Sequence, residues 1–94
     1  MTDPRSLEAR RAELLRELAA LRAHIAELRA DYGALADSGM LVDTDGIAAL
    51  LTPGRCIAGA REVFEEAEIE LAAAADAVER AGVFTTRLRP VLLD

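Results

Sequence analysis

Leucine recurs every seven residues along the first third of the chain, at Leu7, Leu14, Leu21, Leu28 and Leu35. Leu18, Ile25 and Tyr32 stand three residues before the last three of these. The spacing is that of a heptad seam, with leucine at d and Leu, Ile or Tyr at a. Arg11 interrupts the seam at the second a position, and Pro4 occupies the first. Leu15 lies beside it and widens the stripe into a face, which suits a bundle better than a two-stranded coil. Asp3-Pro4 reads as an N-cap followed by proline at the first helical position. Gly39, after Asp37-Ser38, reads as the left-handed residue that closes the helix. These signals predict a first helix from about Pro4 to Ala36, roughly 50 Å long.

A second helical pattern begins near Thr52-Pro53, with threonine as cap and proline at the first position. The alternative is a Pro53-Gly54 turn with the helix starting near Cys56. Ile57, Phe64, Leu71 and Val78 repeat by seven, and so do Ala60, Ala67, Ala74 and Ala81. Large and small residues thus alternate, and the leucines of the first helix suit the alanine row as large against small. Gly82 reads as the stop, so the second helix is predicted over about Pro53 to Ala81. Between the helices, residues 37–52 form a connector. Its apolar stretch Ile47 to Leu51 suggests a short helix that folds over the end of the hairpin. Beyond Gly82 lies a tail, 83–94, in which Phe84 to Arg89 alternates loosely as an extended segment and Pro90 blocks a continuous helix.

The sequence therefore predicts one all-α domain over residues 1–94, a long antiparallel hairpin with a short connecting helix. Two helices cover only one stripe of each other, and the first carries a wider stripe than one neighbour hides. Association into a homodimeric four-helix bundle, or a larger assembly, follows. The expected oligomer seam is Leu14, Leu18, Leu21, Ile25, Leu28, Tyr32 and Leu35.

Composition agrees with an all-α reading. The 94 residues hold 20 Ala and 14 Leu, only three aromatics, and no Lys, Asn or Gln. Arginine in place of lysine fits a GC-rich bacterial genome. The single cysteine, Cys56, excludes an intrachain disulfide or a multi-cysteine zinc site. A lone cysteine of this kind is expected to be buried. The net charge of −6 argues against nucleic acid and anionic membranes as partners. No apolar run approaches the length of a membrane span, and Met1 to Arg5 lacks a signal-peptide core. A cytoplasmic location is expected.

Charge differs between the helices. The first is nearly balanced, with Glu8–Arg11 and Glu13–Arg16 spaced as helical ion pairs. From Glu62 to Glu79 the second has seven acidic residues and no basic one. That run reads either as a solvated face or as a docking surface for a basic protein partner. Its candidate residues are Glu62, Glu65, Glu66 and Glu70, with Ile69 as an apolar anchor among them. Leu88, Val91, Leu92 and Leu93 of the tail are further candidates, either packed on the hairpin or its mate or held for a partner.

Signals for chemistry are weak. Helical di-iron sites use Glu-x-x-His pairs, and the only histidine reads His24-x-x-Glu27, in reverse. Asp43-x-Asp45-Gly46 resembles part of a calcium loop, but Leu41 and Thr52 would fall where oxygen-rich ligands belong. A helix-turn-helix cut over 44–66 would put Glu62, Glu65 and Glu66 against phosphates. Cys56 has no base near it in sequence. No cofactor and no metal are expected. The preferred function is a non-enzymatic oligomerisation, adaptor or regulatory module. The competing reading is a ligand- or metal-binding bundle, with or without enzyme activity, with a site at the dimer seam near Arg11, His24 and the carboxylates of the second helix.

Overall fold

The computed structural model describes residues 3–38 and 52–91. They form two helices, α1 (Pro4–Asp37) and α2 (Pro53–Thr85), laid antiparallel. The result is a rod of 75 × 22 × 20 Å. The expected connector helix and the Gly39 cap lie outside the described residues, as do Leu92 and Leu93.

The helix starts follow from local chemistry. Asp3 has an extended backbone, and its carboxylate accepts from the Ser6 amide at 2.7 Å. Thr52 caps α2 in the same way, accepting from the Arg55 amide at 3.2 Å. In each case proline follows in the first turn, where no backbone donor is needed. The alternative start near Cys56 is thereby excluded. At the far end of α1, the Ser38 hydroxyl donates to the Leu35 carbonyl at 2.8 Å.

The end of α2 differs from expectation. Gly82 does not stop the helix, which continues three residues further to Thr85. Phe84 and Thr85, expected in an extended tail, are helical, and a turn follows at Thr86-Arg87. Glycine inside a helix costs roughly 0.5–1 kcal/mol relative to alanine, so its presence calls for a packing reason. That reason is Arg11, whose guanidinium lies where a side chain at this position would go. Gly82 is also the one buried residue of either helix.

The contact between the helices is thin. No apolar side chain among the described residues is buried. The half-buried stripe of α1 runs through Glu8, Arg11, Leu15, Leu18, Ile25 and Arg29, which are a positions and the e positions that follow them. Its counterpart on α2 runs through Ile57, Ala60, Phe64, Ala67, Leu71, Ala75, Val78 and Gly82. Tyr32 stacks on Phe64 with ring centroids 5.7 Å apart and planes 27° from parallel, an arrangement worth about 0.5–1.5 kcal/mol beyond its buried area. Of the five d leucines only Leu35 is half-buried; the other four lie outside this contact stripe. Leu7, Leu14, Leu21 and Leu28 remain 42%, 43%, 49% and 43% exposed.

Candidate functional site

Four cross-helix contacts fix the register. Arg11 reaches Val78 and Gly82, Arg29 reaches Glu68, Tyr32 stacks on Phe64, and Gly33 lies against Arg61. At this register Leu14, Leu21 and Leu28 stand level with Ala81, Ala74 and Ala67. The large-to-small match expected from sequence is thus one of level. It lies along one flank of the hairpin rather than between the helices.

The geometry of that flank follows from helical rotation. The d row of α1 lies roughly a quarter turn from the stripe that faces α2. On α2, Cys56, Val63, Ala74 and Ala81 lie a similar angle from its own contact stripe. Because the helices run antiparallel, both displacements point to the same side. All four of these α2 residues are exposed. The opposite flank carries Arg29–Glu68 and Arg61 against Gly33. One side of the rod is therefore a leucine and alanine surface, and the other is tied by arginines. An open groove of about 500 Å³ runs along the apolar side, lined by Leu7, Arg10, Arg11, Glu13, Leu14 and Glu17.

Arg11 is the most engaged polar side chain. Its Nη2 donates to Glu8 Oε2 at 2.9 Å and its Nη1 donates to the Val78 carbonyl at 3.3 Å. A charge at an a position is tolerated because Glu8, one turn earlier, neutralises it and Gly82 opens space for it. The Arg11 guanidinium holds the Glu8 carboxyl below its ordinary value. The Thr85 hydroxyl is buried nearby and makes no hydrogen bond of good geometry, yet its dipole adds to that pull. Glu8 in turn raises the pKa of Arg11. Arg29 is raised likewise by its bond to Glu68, 2.7 Å from Nε to Oε2.

The acidic run divides. Glu68 turns to α1 and pairs with Arg29, whereas Glu62, Glu65, Glu66, Ile69 and Glu70 are exposed. Ile69 is 63% exposed on the side of α2 away from α1. In the tail, Leu88 is 55% and Val91 81% exposed, so neither packs closely on its own hairpin. Leu88, Arg89 and Pro90 instead wall a cleft with Pro4, Arg5 and Glu8 at the end of the rod.

The residues suggested for chemistry do not converge. His24 is exposed and stands on the outer side of the d row, while Arg11 faces α2. Among the described residues, no three His, Cys, Asp or Glu side chains are grouped to hold a metal. Cys56 is exposed, not buried as expected, because it precedes Ile57, which takes the inward position on that turn. No described helix is long and apolar enough to cross a membrane. In comparisons with family models, curated proteins and solved structures, nothing matches this chain.

Two features escaped sequence reasoning. The Arg11–Gly82 contact joins residues far apart in the chain, and both were read as interruptions: a broken seam and a helix stop. The shared side of the d leucines and the alanine row depends on register, which the heptad repeat alone leaves open.

Proposed function

We propose that this chain is a helical interaction module that works by self-association and presents the acidic outer face of α2 to a basic protein. The observation that carries the reading is the row Leu7, Leu14, Leu21 and Leu28. It is left 42–49% exposed on a hairpin with no buried apolar side chain among its described residues. Exposed apolar surface concentrated on one side marks an interface, whereas scattered single residues do not. Fully burying a leucine contributes about 1.5–3 kcal/mol; with a little under half of each still exposed, covering one contributes about 1 kcal/mol, and the four of each copy together supply a stabilisation comparable to the cost of association. Glu62, Glu65 and Glu66 lie away from the apolar flank of α2 and stay accessible when that flank is covered, while Glu70, one heptad after Val63, borders it. Light scattering coupled to size exclusion tests the reading. A mass of at least twice 10.1 kDa at micromolar concentration supports it, and a monomer at the same concentration refutes it.

A further inference from the structure

We propose that two copies of this chain join with α1 packed on α1 of the second copy, antiparallel, about a twofold axis that crosses α1 between Ala19 and Ala20. The inference rests on the self-association reading above and specifies its geometry.

The argument begins with the charges that border the leucine row. Arg10, Glu17, His24 and Asp31 lie at successive heptad positions three residues after each d leucine. All four are exposed. None takes part in an ion pair within the described chain. The other border of the stripe, at Glu8 and Arg29, is already committed to contacts within the hairpin. The free border is therefore the one available to a neighbour.

Only one alignment makes that border complementary to itself. In an antiparallel helix pair, a residues pack in layers with d residues of the partner, and the bordering charges meet their own kind of position. Placing Leu21 against Leu18 of the second copy, and Leu14 against its Ile25, brings Arg10 to Asp31 of the second copy. The same step brings Glu17 to its His24, which offers a ring N–H donor in either protonation state. Symmetry repeats each pair, so four pairs flank the seam. A parallel alignment of the two α1 helices would level Arg10 with Arg10, Glu17 with Glu17 and Asp31 with Asp31. Packing α1 on the second copy's α2 at the register of the intrachain pair would level Arg10, Glu17 and Asp31 with Thr85, Val78 and Phe64, which carry no charge.

Size and shape fit as well. Leu7 to Leu28 spans about 32 Å at 1.5 Å per residue, on a rod about 20 Å across. That face approaches the roughly 800 Å² per partner of a standard interface. In the same assembly the α2 helices face each other along the side that carries Cys56, Val63, Ala74 and Ala81, where the small side chains of the alanines permit close approach.

The test uses charge exchange in the full chain. Arg10→Glu and Asp31→Arg should each weaken the homodimer roughly tenfold or more, because two attractive pairs become two repulsive ones. The double variant Arg10→Glu/Asp31→Arg restores opposite signs and should return to within about threefold of the wild-type dissociation constant. An equimolar mixture of the two single variants should form the mixed dimer in preference to either homodimer, read by native mass spectrometry. With Cys56→Ser throughout, a mixture of Glu17→Cys and His24→Cys chains should form an interchain disulfide that Glu17→Cys alone does not. A wild-type chain that stays monomeric at micromolar concentration would overturn self-association itself. A dimer whose affinity ignores both single variants, or whose mixture shows no preference, would overturn the antiparallel α1 pairing alone.

Discussion

The Arg11–Gly82 contact makes an alanine substitution that should stabilise a helix fail to do so. A β-carbon built on Gly82 would sit 2.8 Å from Arg11 Nη2 and 2.9 Å from its Cζ, distances that real β-carbons do not tolerate. The guanidinium is the free end of a flexible side chain, so it moves and the helix stays. What it loses by moving is specific. A helical side chain covers the turn before its own Cα, so glycine at 82 uncovers the Val78 carbonyl that Arg11 Nη1 reaches at 3.3 Å. Gly82→Ala should gain about 0.5–1 kcal/mol in helix propensity. It should lose a hydrogen bond from a charged donor worth about 1.5–3 kcal/mol at full strength, less here because the contact is only partly buried. The net in the wild-type background is near zero or mildly destabilising. In an Arg11→Ala background the lost contact is absent already, and Gly82→Ala should show its full gain of about 0.5–1 kcal/mol. The two substitutions should therefore be coupled by roughly 1 kcal/mol or more. Urea unfolding followed by circular dichroism, at one fixed chain concentration, measures all four corners of the cycle. Equal stabilisation by Gly82→Ala in both backgrounds would show that Arg11 does not rest on Gly82.

Other substitutions probe the remaining contacts. Leu21→Ala should cost roughly 2–5 kcal/mol if the leucine row is buried by a second copy. A cost under about 1 kcal/mol, independent of concentration, would mean the row stays in water. Arg29→Ala should change thermal stability little, since its pair with Glu68 is only partly shielded from solvent. Glu8 provides a pH signature: its folded pKa lies below the ordinary value of 4.5, chiefly through the Arg11 hydrogen bond. Its contribution is therefore present above that value and is lost as pH falls through the depressed one, and Glu8→Gln should flatten this part of an acid-unfolding curve. Reversing Glu62, Glu65, Glu66 and Glu70 to Arg should leave folding nearly intact, at about ±0.5 kcal/mol each. It should abolish binding of a synthetic arginine-rich helical peptide, whose binding to the wild type weakens with salt; unchanged binding would reject the ridge as a docking surface.

Helix positions were legible because their signals are local. Asp3-Pro4 and Thr52-Pro53 each join a capping oxygen to a residue with no amide to satisfy, and both helices start where those pairs stand. Gly82 was not legible, because a glycine's lack of a side chain announces a helix end and a close approach in the same way. Only the position of Arg11, distant in the chain, separates the two. The d leucines were legible as a row but not as a surface. Heptad spacing says that residues share a stripe, while the side of that stripe facing the intrachain neighbour depends on where Arg11, Arg29 and Tyr32 find partners. Of the acidic run, Glu68 looked equivalent to Glu66, yet two residues turn the helix by roughly 200° and point Glu68 toward Arg29.

The division of α1 into two sides gives the hairpin its character. Along its a and e positions the helix contacts α2 through Leu15, Leu18 and Ile25, but also through Glu8, Arg11 and Arg29, which hold geometry more than they bury area. Exposed ion pairs contribute little stability, and the apolar residues in the stripe are only half-buried. Small domains hide a low fraction of their surface in any case. A hairpin whose apolar contact is only half-buried and whose d leucines from Leu7 to Leu28 lie outside it is therefore marginal alone, and under the proposed self-association its stability should rise steeply with its own concentration. Under the proposed self-association, folding and association become one equilibrium. The acidic face of α2 that we propose as a docking surface would then be rigid only in the assembled state, so that the presentation of Glu62, Glu65 and Glu66 to a basic partner would depend on the leucine row being covered.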